Sequence, residues 1–176
     1  MAIKNIAPKN GFSRSRAQAM VEFAIALPIL LALIVGVMEV GRIILMYSLV
    51  VNASRDAVRY GSAAGLDSTG TYTRYKYCDG IKASAKSSGY FLHLQDSNIT
   101  IGYDHGPSTS VFATCTATGG EDSSVVINTC AAGSTCDRVK VTVQVTYNPI
   151  VKLIPIKSFA ITSTSYRTII GVTAVP

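Results

Sequence analysis

The residues of this 176-residue chain with chemistry to offer are few: four cysteines, two histidines and a glutamate at the mouth of an apolar run. Cys78, Cys115, Cys130 and Cys136 could in principle hold zinc, but no C-x-x-C pair occurs and neither His93 nor His105 has a suitably spaced cysteine neighbour. An even number of cysteines in a small exported domain points instead to two disulfides. Three connectivities are open. The favoured one closes Cys130 on Cys136 around Ala131-Ala132-Gly133 and leaves Cys78 to tie a helix to Cys115. Serine and threonine are plentiful, yet there is no G-x-S-x-G turn, and two scattered histidines do not make a triad. The sequence therefore assigns no catalytic residue, no cofactor and no metal site, and an enzyme is the disfavoured class. Glu121-Asp122 reads as a solvated, glycine-flanked turn. Asn98-Ile99-Thr100 matches a glycosylation sequon but also starts a strand.

The elements that would carry these residues begin with a membrane helix. Hydrophobic residues make up 48% of the chain and charged residues only 15%, too apolar for a disordered or nucleic-acid-coating protein. From Phe23 to Met38 no charge occurs, and after Glu39 and Arg42 the apolar run resumes as far as Val51. A hydrocarbon core about 30 Å thick needs roughly 20 helical residues, so this stretch is long enough to cross. Glu39 and Arg42 are three apart and can share a helix face as an ion pair. Of the formal charge of +6, Lys4, Lys9, Arg14 and Arg16 contribute most, with no acid among them. The positive-inside rule then puts the N-terminus in the cytoplasm and everything after about Tyr47 outside, and charge gathered at one end suits a helix whose partner is membrane lipid and not nucleic acid. A cleaved secretory signal is the rival, with Val51-Asn52-Ala53 as a weak cleavage site, but the apolar stretch exceeds an ordinary signal core.

Met46, Leu49, Ala53, Ala57, Tyr60 and Ala64 then repeat at helical spacing and extend the same helix amphipathically, until Gly61, Gly65 and Asp67-Ser68-Thr69-Gly70 end it. A second helix is expected from about Thr73 to Ser88, with Gly80 an awkward member. Beyond Gly89 the period becomes two. Arg138 to Tyr147, RVKVTVQVTY, is the clearest strand; Ile99 to Tyr103, Val111 to Thr118, Ser124 to Thr129 and Phe159 to Ile170 are further candidates. Pro149 and Pro155 make the segment between the last two an apolar loop or edge. The expected fold is α+β: a long N-terminal transmembrane helix, with an amphipathic extension packed on a small antiparallel sheet. Its parts are a basic leader or tail (1–17), the helix (18–64) and an extracytoplasmic domain (65–176).

Where basic tail meets apolar helix, Val21-Glu22-Phe23-Ala24, Leu27-Pro28, Gly36-x-x-Glu39-x-Gly41-Arg42 and Asn52-Ala53-x-Arg55-x-Ala57-x-Arg59 follow one another in order. This set resembles the TadE-like family, minor pilins or pseudopilins of tight-adherence (type IVc) pili, over about residues 16 to 61. The resemblance implies a pilin-like subunit of the cytoplasmic membrane that assembles through its apolar helix, with Glu22, Phe23, Pro28, Glu39 and Arg42 as assembly residues. It implies other pilin subunits, a prepilin peptidase and an assembly platform as partners. A glutamate at the fifth mature position faces the freed amine in such proteins, which places processing between Ala17 and Gln18. Ala17 departs from the glycine that the peptidase prefers. Cutting after Gly11 would put Arg16 at the fifth position and is the worse site; an uncut chain would keep its basic tail as an anchor. The alternative function is a tethered adhesin or binding module that does not polymerise.

Overall fold

The structure is a computed structural model and describes residues 12–128, 136–150 and 157–169, with side chains from Ala17 onward. A single helix, α1 (Phe12–Ser62), carries the first third of the chain. At 1.5 Å per residue its 51 residues form a rod about 76 Å long. It runs unbroken through Pro28, and Met20, Phe23, Ile25, Ile29, Leu30, Leu33 and Val37 all stand exposed around its N-terminal half. Every residue from Ala17 to Ile34 is exposed, so the apolarity of that stretch is not explained by a core. The helix is long and apolar enough to cross a membrane.

The C-terminal half of α1 is built into a head. Helix α2 (Cys78–Ser88) and a four-stranded antiparallel sheet complete it, with β1 (Ile99–Asp104), β2 (Val111–Thr114), β3 (Arg138–Tyr147) and β4 (Phe159–Thr168) in the order β2-β1-β3-β4. This is the expected α+β arrangement. β3 pairs residue for residue with β4 from Arg138↔Thr168 to Tyr147↔Phe159, so the end of β3 and the start of β4 meet at one edge of the head. Val139, Val141 and Val143 point inward from β3, with Ile99, Ile101 and Tyr103 from β1, onto Val50, Ala53, Ala57 and Val58 of α1 and Ile81 and Ala85 of α2. The small α1 residues let the helix lie close. A Cβ on Gly61 would come within 3.0 Å of Ile81, and one on Gly80 within 2.6 Å of the Tyr60 hydroxyl, so both glycines mark the contact between α1 and α2. Between α1 and β4 lies a buried polar contact: the Ser54 hydroxyl sits 3.0 Å from that of Ser163 and 2.9 Å from that of Ser165.

Several elements differ from the sequence reading for one reason, which is that aspartates claim the backbone. α2 starts at Cys78 and not near Thr73, because the Asp67 carboxylate accepts the amides of Thr71 and Tyr72 and holds that stretch in a turn. β2 stops at Thr114 because the amides of Thr116 and Ala117 turn to Asp122. Ser124 to Asn128, the described part of another expected strand, is not extended into the sheet; Ser124 donates both its amide and its hydroxyl to Asp122. α1 ends at Ser62 and β4 at Thr168, each a little short of its expected limit.

Candidate functional site

A strand ladder leaves its last residues free to reach sideways, and β3 uses them to grip α1. The Tyr147 hydroxyl, at the end of β3, donates to Glu39 Oε2, and the Ile150 amide donates to Glu39 Oε1 at 2.8 Å. One turn on, Arg42 lies 3.6 Å from Glu39 Oε2, donates to the Asn148 carbonyl at 3.0 Å, and sits over the Tyr147 ring at 5.1 Å from its centre. Glu39 is only 9% exposed between Met38 at 69% and Val40 at 56%. A carboxylate in this position is tolerated because two donors and a guanidinium surround it. The anionic neighbour raises the Tyr147 phenol above its ordinary pKa, first through the hydrogen bond and then through burial. The helical pair expected from the sequence is therefore present. Its remaining partners lie 106 to 111 positions away and left no local signal.

This contact divides α1. Below it the helix is bare from Ala17 to Ile34; from it upward Ile43 and Met46 pack against the core and Val50 is fully buried. Part of the second apolar run, read from the sequence as membrane span, is thus core of the head, while Ile44, Leu45 and Tyr47 remain exposed on the other side. Glu22, near the start of the bare half, is exposed, and the Gln18 side chain donates to its Oε1 at 3.2 Å. Ala17, Gln18, Phe23 and Pro28 are exposed on the same stretch, and nothing in the head reaches them.

The cysteines serve the outer part of the head. Cys78 and Cys115 are bonded to each other, tying the first residue of α2 to the end of β2. Cys136 is oxidised as well, but the expected pairing with Cys130 falls outside the described residues. The two bonded sulfurs cluster with the Asp122 carboxylate within 4.8 Å, a set that would resemble a metal site were the thiols free. Asp122 is buried, and the Ser124 hydroxyl together with the amides of Thr116, Ala117 and Ser124 hold its pKa down to about 2. Glu121 accepts the Thr73 amide. The solvated turn expected here is instead an organising centre of the loop. His105 Nδ1 lies 2.6 Å from Asp137 Oδ1 with its ring stacked on Phe112, whereas His93 ends the short turn Tyr90–Leu92 in a left-handed conformation.

Residues 17–59 match the family described as TadE-like protein. The searches of curated proteins and of solved structures return no match. The TadE-like segment contains Glu22, Phe23, Pro28, Glu39 and Arg42, and ends within the part of α1 that packs on the sheet. Tyr147, Asn148 and Ile150 lie outside it, so one half of the Glu39 contact belongs to the TadE-like segment and the other half to the unmatched C-terminal part.

Proposed function

We propose that this chain is a single-pass, pilin-like structural subunit of a tight-adherence pilus, whose bare helix lies in the cytoplasmic membrane before assembly and among the helices of neighbouring subunits after it. The observation that carries the reading is the division of α1: one continuous helix, predominantly apolar and exposed at every residue from Ala17 to Ile34, and part of a folded head from Glu39 upward. A helix of that kind needs lipid or other helices around it, and Ala26, Ala32 and Gly36 allow backbones to approach closely. The TadE-like match supports an association with such pili. The basic N-terminus favours an inside orientation with the head outside, where the cysteines can stay oxidised.

Glu22 is the proposed assembly residue. Gln18 and Glu22 are one turn apart with their side chains in contact. If a prepilin peptidase cuts after Ala17, the new amine of Gln18 starts the helix on which Glu22 sits, and the carboxylate neutralises it in its own or a neighbouring subunit. Leaving a buried charge without its partner costs about 3 to 5 kcal/mol, enough to shift assembly by two or more powers of ten. Glu22→Ala and Glu22→Gln should therefore leave a folded, membrane-inserted monomer and deplete the protein from the fraction sheared off cells. Normal recovery of both variants in that fraction would refute the assembly role and favour a tethered binding module. The mass of the sheared protein checks the cut at Ala17 in the same sample.

A further inference from the structure

We propose that the lower pole of the head is itself a lipid-contact surface, with Ile150 and Phe159 seated at the boundary between headgroups and acyl chains. The inference rests on the reading that the bare half of α1 crosses a membrane. Depth follows from the helix. Gln18 to Met38 is 21 residues, about 31 Å of rise, which matches a hydrocarbon core about 30 Å thick and leaves Glu39 at headgroup level. The Glu39 contact fixes the sheet at that level, because Tyr147 and Ile150 are bonded to Glu39 and Asn148 to Arg42. Phe159 is paired with Tyr147 across the ladder and packs on its ring at 5.2 Å, so it shares the same height.

What the head presents there is apolar and basic. Ile150 is 72% exposed and Phe159 41%. A groove of about 280 Å³, lined by Val35, Met38, Glu39, Arg42 and Ile150, opens where helix and sheet meet, directly above the bare span. Its one acid, Glu39, is already engaged, and the described residues 147–150 and 157–159 add the exposed Lys157 and no carboxylate. Apolar side chains flanked by cations, continuous with a span, suit an anionic bilayer surface. The opposite end of β3 contrasts: Asp104 pairs with Arg138 and Asp137 lies against His105, about 30 Å away along the strand.

The chain has no tryptophan, so one introduced indole reports alone. Full-length Ile150→Trp, Phe159→Trp, Leu30→Trp and Val126→Trp would be placed in vesicles of phosphatidylcholine and phosphatidylglycerol, with and without brominated acyl chains. Val126 is 74% exposed and lies near the Asp137 end, where Asn128 bonds Asp137, so it serves as the distant reference. Expected is loss of about half or more of the emission at positions 30, 150 and 159, and none at 126. Quenching at 30 alone would show a head held off the bilayer and overturn the inference while sparing the span. No quenching at 30 would overturn both. Blue-shifted emission at 150 and 159 that bromine leaves untouched would mean that another protein surface covers the pole, and would also overturn it. Two reporters at the pole protect the test against one substitution that misfolds.

Discussion

If Glu39 fastens the sheet to the helix, truncating it should loosen the head even though the residue lies in the middle of an apolar run. Glu39→Ala removes a carboxylate that accepts the Tyr147 hydroxyl and the Ile150 amide and pairs with Arg42. The Tyr147 hydroxyl left behind is buried and loses its acceptor, at a cost of about 1 to 3 kcal/mol, while Arg42, one third exposed, and the exposed Ile150 can turn to water. For a chain of this size each kcal/mol moves the melting temperature by about 2 to 4 °C, so the variant should melt about 2 to 12 °C lower. Glu39→Gln keeps an acceptor but not the charge, and should fall between. The nine tyrosines and the absence of tryptophan make near-ultraviolet circular dichroism of detergent-solubilised protein a direct readout of the head. A double-mutant cycle adds a sharper criterion. Tyr147→Phe should lower the midpoint in the parent and have little further effect in Glu39→Ala, because its partner is already gone. Glu39→Ala melting with the parent, or two substitutions that simply add, would refute the contact as a fastening.

Two further outcomes follow from the outer part of the head. The Cys78–Cys115 bond closes 37 residues, worth about 4 kcal/mol by chain entropy, so Cys78→Ser with Cys115→Ser should melt about 8 to 16 °C lower under non-reducing conditions, and a shift of under about 2 °C would count against it. Asp67 and Asp122 are both held at about 2, below the ordinary carboxylate value, by donors that prefer the ionised form. A depressed folded-state value contributes stability that is complete above the unfolded-state value and is lost as pH falls through the folded one. The urea midpoint should therefore be level above about pH 5 and drop between about pH 4 and 2, less steeply in Asp122→Asn; a drop confined to higher pH would contradict the assignment.

How far the sequence could be read depends on the range over which each signal acts. The alternation of RVKVTVQVTY is local, and β3 has the expected limits, Arg138 and Tyr147. The helix stripe through Ala53 and Ala57 was visible for the same reason, as was the run of apolar residues that leaves α1 bare. Signals from a distance were not legible. Val111 to Thr118 has strand composition throughout, but the competing acceptor at Asp122 takes the amides that would have continued the ladder. Gly80 reads locally as a flaw in a helix, whereas its reason is Tyr60, twenty positions earlier, which leaves no room for a Cβ there. Ser54 has no polar neighbour in sequence that announces Ser163 and Ser165. Glu39 and Arg42 could be paired with each other by spacing, but their grip on Tyr147, Asn148 and Ile150 is a property of the fold.

The attachment of the head along α1 also decides how the molecule bears a mechanical load. Contacts with the sheet and α2 extend from Glu39 to Gly61, about 33 Å of helix, and β3 and β4 are held to α1 at several points along that length, among them Tyr147 at one end and Ser163 and Ser165 further on. A pull on the head parallel to the helix axis therefore loads the serine contact, the Glu39 contact and the apolar seam together, in shear. A pull across the axis peels them one at a time, beginning with the Glu39 end. The head resists load best along the helix axis and least across it.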